Sequence, residues 1–264
     1  MQDTRLEREA CRPDGVPARR LERFDFRELL GAGGMGVIYR AFDRRLCREV
    51  AVKLPRGSLG RLPWSARARL LREAQALMRV RHAHVVEFFD LHVEADLACI
   101  AMRPLDGRSL RGRAIEWRRA VAVGIQIGEA LAAVHRAGLV HRDVSPDNIL
   151  VDAGGRAWLI DFGLARLAGA PTTRDDLLAL SLSPPGGPVG TPAYMAPEQR
   201  RGAPPDPAAD QYALCATLRA LLGEGAASPT ALTRLLRRGL AEDAAARLPD
   251  MPALVAALRE LGAA

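Results

Sequence analysis

Lysine is almost missing from this chain. Of its 38 basic side chains only Lys53 is a lysine, and the other 37 are arginines. Arginine serves wherever plain positive charge is enough, so the single exception points to a position that needs a compact ammonium. Aromatic residues make up only 5%, and the arginines are spread over most predicted helices. That excludes a base-stacking platform, and nucleic acid is not an expected partner despite a net charge of +7. Cysteines are few. Cys11, Cys47, Cys99 and Cys215 form no CxxC pair, which argues against a disulfide framework or a metal cage. No stretch approaches the roughly 18 uninterrupted apolar residues of a membrane span. The N-terminus, MQDTRLEREACRPDG, is charged where a secretion signal would be apolar. The expectation is a soluble, cytoplasmic protein with no membrane partner.

What is present is enough for a core. With 264 residues, 48% hydrophobic and 26% charged, the chain can form one large domain or two small lobes. Residues 1–23, with Pro13, Gly15 and Pro17 among many arginines, read as a flexible tail. No internal repeat is evident.

Upstream of Lys53, LLGAGGMGVIYRAF places Gly31, Gly33 and Gly36 in a GxGxxG pattern. A dinucleotide-binding loop would run into a helix. Here Val37, Ile38, Tyr39 and Phe42 follow, residue types that favour a strand, so the loop joins two strands. It is either a hairpin lying over phosphates or an ordinary glycine-rich turn. The next strand, REVAVKLP, carries Lys53, and SARARLLREAQALMRV then shows the apolar spacing of a helix through Leu70, Ala74, Leu77 and Met78. Glu73 lies on or beside that stripe, and an inward carboxylate needs a cation. Lys53 is one candidate and Arg69, four residues earlier, is the other; local spacing does not choose between them. His82 and His84 form an HxH pair.

Three further stretches carry a resemblance: HRDVSPDNIL (141–150), LIDFGLAR (159–166) and GTPAYMAPEQ (190–199). In this order and spacing the chain resembles a serine/threonine protein kinase of the bacterial type, over roughly residues 24–262. The resemblance implies an α+β fold of two lobes. The N-lobe, 24–103, would be a five-stranded antiparallel sheet with one large C helix; a hinge at 103–107 would join it to a mainly α-helical, shortened C-lobe, 108–264.

The resemblance also implies roles. Gly31, Ala32, Gly33, Gly34, Met35 and Gly36 would close over the phosphates of ATP. Lys53, held by Glu73, would contact the α- and β-phosphates. Asp143 would take or orient the proton of the acceptor hydroxyl. Asn148 and Asp161 would carry Mg²⁺, with Mn²⁺ as a substitute. Adenine would lie against Ile38, Ala51 and the gatekeeper Met102, bonded to the Arg103 carbonyl and the Leu105 amide; Pro104, lacking an N–H, falls between them. His141 would pack rather than act as a base, beneath Phe162 with Leu77 and Phe88 above. His82 and His84 would be structural, in the turn after the C helix. Glu198 would pair with Arg247, and Asp210 would anchor the backbone of the catalytic loop.

The chain departs from the family pattern in three places. Ser145 stands where a lysine usually contacts the γ-phosphate, so either a nearby arginine substitutes or turnover is slower. Between Leu222 and Arg247 a turn and a helix are missing. The activation segment, Asp161 to Glu198, is rich in Pro, Gly and Ser; Thr172, Thr173, Ser181 and Ser183 are candidate phosphosites, with Arg142 to pair the phosphate and Thr191 as a structural residue. Expected partners are protein substrates with Ser or Thr acceptors and an upstream regulator. The alternatives are an ATP-binding scaffold without catalysis and a kinase-like small-molecule phosphotransferase.

Overall fold

The computed structural model describes residues 21–33, 36–55, 74–94, 97–161, 192–204, 206–223 and 227–263. Five strands form the upper lobe: β1 (Phe24–Gly33), β2 (Gly36–Asp43), β3 (Arg48–Pro55), β4 (Phe88–Glu94) and β5 (Leu97–Met102). Their order is β1-β2-β3-β5-β4, antiparallel throughout, as the resemblance implies. The two-residue period of the strands sorts their side chains. Val37, Tyr39 and Ala41 of β2, Val50, Val52 and Leu54 of β3, and Cys99 and Ala101 of β5 share one apolar cluster. The alternate residues Ile38, Ala51, Ile100 and Met102 belong to a second cluster that continues into the lower lobe. Lys53 pairs in register with Ile38 on one side and Ile100 on the other, so it lies on that second face.

The described residues begin before Phe24. Leu21 is 2% exposed and packs with Phe24. The Arg23 guanidinium donates to both carboxylate oxygens of Asp43, at 3.0 and 3.1 Å from Nε, and to Asp90 at 2.5 Å. Residues 21–23, read from sequence as the end of the tail, therefore pin the start of β1 to the β2–β3 turn and to β4. Of the predicted C helix, SARARLLREAQALMRV, residues 74–80 are described: 74–77 are helical and 78–79 form a turn.

The lower lobe is built on α1 (Trp117–Arg136) and α3 (Pro207–Leu222), with the short α2 (Pro197–Arg200) between them in sequence and α4 (Thr230–Gly239) and α5 (Met251–Ala263) after them. Ile127, Leu131, Leu214, Leu218, Leu254 and Leu258 are among its largest fully buried side chains. The Glu116 side chain caps α1 by accepting the Arg118 N–H at 3.0 Å. A second sheet of three short strands, β6 (Arg108–Ser109), β7 (Ile149–Val151) and β8 (Ala157–Leu159), lies at the lobe boundary. Only residues 223–229 separate α3 from α4, and 110–116 pass straight from β6 to α1, the Ile115 amide donating to Leu221 O at 2.8 Å. The trimming predicted between Leu222 and Arg247 is visible, and α4 packs directly on α3. A Cβ at Gly239 would stand 2.2 Å from the Cys215 sulfur.

Candidate active site

Four of the predicted site residues meet where the lobes face each other. The Lys53 ammonium contacts the Asp161 carboxylate, with the two side chains 10% and 15% exposed. Across the cleft, Asn148 Nδ2 donates to Asp143 O at 2.8 Å and to Asp143 Oδ2 at 3.1 Å. With Nδ2 committed to Asp143, the side-chain oxygen is the Asn148 amide atom that remains for a cation. The Ile160 N–H, next to Asp161, donates to Asn148 O at 2.9 Å. The stretch 141–150 and the residues that follow β8 as far as Asp161 are thus one hydrogen-bonded unit.

Two non-glycine residues at this site have left-handed backbones, Arg142 with φ 68° and Asp161 with φ 57°. Such conformations cost about 1–3 kcal/mol each and persist only where the surroundings hold them. Asp210 holds the first. Buried in α3, it accepts the His141 N–H at 2.8 Å, the Arg142 N–H at 2.7 Å and His135 Nε2 at 2.8 Å.

His141 braces the second. The Asp143 N–H donates to its Nδ1 at 3.3 Å, so Nε2 carries the proton and donates to Ile160 O at 3.2 Å. Burial holds this imidazole below its ordinary pKa, which keeps it neutral and in that tautomer. It is a structural link, not a proton acceptor. Leu77 and Phe88 are buried in the same apolar cluster that spans the lobes; Phe162 lies outside the described residues.

The hairpin above the cleft is paired as far as Gly33 opposite Gly36. Gly36 has φ 137°, open only to glycine without strain. A Cβ at Gly31 would meet no atom of the described residues within 4 Å. Met102 is buried, Arg103 exposed and Leu105 half-buried at the hinge, and the Arg103 N–H donates to Glu87 O at 2.8 Å. Ile38, Ala51, Met102 and Leu105 all belong to the apolar cluster under the sheet.

Ser145 is fully buried, and its Oγ has no hydrogen-bond partner among the described residues. Its hydroxyl supplies no charge in place of the lysine. Arg247 makes the predicted pair with Glu198, bidentate at 2.6 and 2.7 Å, and this holds the Glu198 carboxyl below its usual pKa. His84 Nδ1 lies 2.8 Å from Ala157 O and its N–H donates to His82 Nδ1 at 3.3 Å, so the HxH pair closes a turn. Several sequence predictions, those for Gly34, Met35, Glu73, Thr172, Thr173, Ser181, Ser183 and Thr191, lie outside the described residues. Sequence reasoning missed Arg111, which bonds Asp147 beside Asn148. Only the basic run around it was there to be noticed.

The family model for the protein kinase domain matches residues 24–233. The chain is 38% identical over 215 residues to the serine/threonine-protein kinase PknK of Mycobacterium bovis, which covers 78% of this chain and 18% of that protein. It is 42% identical over 197 residues to PknD of Mycobacterium tuberculosis, covering 72% and 28%. The chain therefore spans less than a third of either relative. The crystal structure of the Mycobacterium tuberculosis PknI kinase domain superposes with a TM-score of 0.70 at 25% identity, over 95% of this chain and 99% of that one.

Proposed function

The chain belongs to the protein kinase family, and from that premise we propose that it transfers the γ-phosphoryl group of ATP to Ser or Thr hydroxyls of proteins. The observation that carries this reading is the hydrogen-bonded set of Asp143, Asn148 and Asp161 facing Lys53. In the transfer, a bond forms between the acceptor oxygen and the γ-phosphorus while the bond to the β–γ bridging oxygen breaks, and ADP leaves. Asp143 receives the acceptor proton; its Oδ2, fixed by Asn148, sets the direction of the carboxylate. Lys53 holds the α- and β-phosphates. The glycines of the β1–β2 hairpin let the backbone approach those phosphates, and Ile38, Ala51, Met102, Arg103 and Leu105 take the adenine.

The donor set fits Mg²⁺: the Asn148 amide oxygen and the Asp161 carboxylate are hard oxygen ligands, and Lys53 beside Asp161 keeps the local charge balanced. When bound, the ion offsets charge on the phosphates. Asp210 and His141 act behind this set, keeping residues 141–143 and 160–161 in the strained backbone that aims both aspartates. Autophosphorylation of the activation segment and a cytoplasmic location belong to the same reading; no helix among the described residues is long and apolar enough to cross a membrane.

The test is transfer from labelled ATP to the protein itself and to a generic basic protein, beside Lys53→Arg and Asp143→Asn. Label on Ser or Thr that both substitutions abolish is expected. Label that survives Asp143→Asn, or none in the unaltered chain while ATP still raises its melting temperature, would overturn the reading in favour of a nucleotide-binding scaffold.

A further inference from the structure

Between the hinge and α1 runs RPLDGRSLRGRAIEWRR, residues 103–119, in which Arg103, Arg108, Arg111, Arg113, Arg118 and Arg119 are all exposed. The acids of this stretch are Asp106, bonded to Arg40 at 3.1 Å, and Glu116, spent on capping α1. The middle of the run is fastened to the catalytic stretch. Ser109 Oγ donates to Pro146 O at 3.0 Å, the Leu110 N–H lies 3.1 Å from both Pro146 O and Ile149 O, and Arg108 pairs in register with Val151. Arg111 Nε then reaches the Asp147 carboxylate at 3.3 Å, immediately before Asn148. Asp147 also faces the end of the activation segment: burial first, and the Asp147 charge second, push the Tyr194 hydroxyl up in pKa.

From this juxtaposition we infer that the acceptor site selects segments bearing carboxylate or phosphate groups next to the hydroxyl, with Arg111 as the specificity-determining residue and Arg108 and Arg113 flanking it. The inference deepens the kinase reading and rests on it for the identity of the acceptor. Its physical basis is a charge balance. Asp147 is the acid nearest to Asn148 in the chain and would attract a basic acceptor segment, but the Arg111 guanidinium neutralises it. Arg111 is 80% exposed, so most of its donor fork remains in solvent while one edge faces Asp147. A carboxylate or phosphate can take that fork in a charge-assisted, two-point contact, whereas an arginine in the acceptor would meet like charge on a rim held by backbone bonds to the catalytic stretch.

The experiment uses the full chain with Ser-containing peptides that differ only in the flanking residues: aspartate, phosphoserine, alanine or arginine. Binding is read by fluorescence anisotropy and transfer by kcat/KM, each at low and high salt. We expect the aspartate and phosphoserine peptides to be favoured over the arginine peptide by about tenfold at 0.05 M salt, and the gap to narrow at 1 M as the screening length falls to about 3 Å. Arg111→Glu should level or reverse the preference in both readouts, and Arg108→Glu/Arg113→Glu should weaken it; melting temperature with ATP verifies that each variant folds. Phosphoserine well above aspartate would identify a pre-phosphorylated acceptor, and equality an acidic one. Equal or tighter binding of the arginine peptide, or a preference untouched in Arg111→Glu, overturns the inference. Because binding is measured separately from transfer, absence of transfer with the charge preference intact counts against the kinase reading alone.

Discussion

Replacing Asp210 by asparagine tests whether the catalytic loop is held from below. The carboxylate accepts two backbone N–H groups and one imidazole, each within 2.8 Å, from a position with no solvent exposure. Asparagine keeps the shape but offers one accepting oxygen, so its NH₂ must face at least one of these donors. Hydrogen bonds to a charged acceptor contribute about 1.5–3 kcal/mol each, and a buried donor left without an acceptor costs about 1–3 kcal/mol. Relief from burying a carboxylate offsets part of this. The net destabilisation should be about 2–4 kcal/mol, a large part of the roughly 5–15 kcal/mol that holds a domain together. The local effect is sharper. Without its anchor the Arg142 backbone can leave φ 68°, a conformation that costs about 1–3 kcal/mol, and Asp143 moves with it. Urea unfolding should therefore show a lower midpoint at unchanged slope, and kcat should fall more than the affinity for ATP. A loss of stability below about 1 kcal/mol together with an unaltered rate would refute the reasoning, because it would show that the loop keeps its strained shape without Asp210.

The Glu198–Arg247 pair ties the end of the activation segment to the base of the lower lobe. Arg247 keeps carbonyl partners at Ala208 and Ala241, so Glu198→Ala should cost about 3 kcal/mol, the low end for breaking a buried pair, read by urea unfolding. The acid side of the stability profile has a defined sign. Glu198 and His141 both have folded pKa values below their ordinary ones, so the unfolded chain binds more protons and acid favours it. Stability measured against pH should start to fall below about 6.5 through His141 and fall further below about 4.5 through Glu198. Gly239→Ala should cost about 1–3 kcal/mol by pressing a methyl against the Cys215 sulfur, and Cys215→Ala should recover most of that loss in a double-mutant cycle. Among the described cysteines, Cys47 is exposed while Cys99 and Cys215 are buried, and burial pushes the Cys215 thiol up to about 12. Alkylation of the native protein at pH 8 followed by peptide mapping should label Cys47 and leave the other two unmodified until denaturant is added.

How much of this was legible in the chain depends on the range of the interaction. The residue types of REVAVKLP and GVIYRAF are local physics and announced two strands with Lys53 on one of them; that Ala51 and Lys53 share the cleft face, apart from Val50, Val52 and Leu54, is read from the structure. Strands of two or three residues, β6 to β8, are too short to show a period and left no signal. Asp210 and Arg247 could be placed only through the family resemblance, because their partners stand 68 and 49 positions away and nothing in the local pattern marks them. Arg23 was lost inside an arginine-rich tail, although its two carboxylates make it the fastener of β1. The Arg111–Asp147 contact bridges 36 positions between two exposed charges, each of which reads as ordinary surface by itself.

The lone lysine is best understood beside Arg23 and Arg247, whose side chains are both buried. Arg23 lies among three carboxylate oxygens, two from Asp43 and one from Asp90. Arg247 spreads its fork over both oxygens of Glu198 and the carbonyls of Ala208, Ala241 and Glu242. A planar guanidinium is tolerated in these places because nearly every donor finds an acceptor. Lys53 occupies a different setting, 8% exposed, between Ile38 and Ile100 in the sheet register, with Asp161 as its partner among the described residues. A guanidinium there would carry five N–H donors into a face lined by Ile38, Ala51 and Met102, and each donor left facing these apolar side chains without an acceptor would cost about 1–3 kcal/mol. An ammonium needs only three partners and rotates to find them, so it can satisfy one carboxylate and turn its remaining protons toward incoming phosphate oxygens. Arginine stands at every other long basic position of the chain, and the exception falls where Asp161 is the partner among the described residues and phosphate oxygens would supply the remaining acceptors.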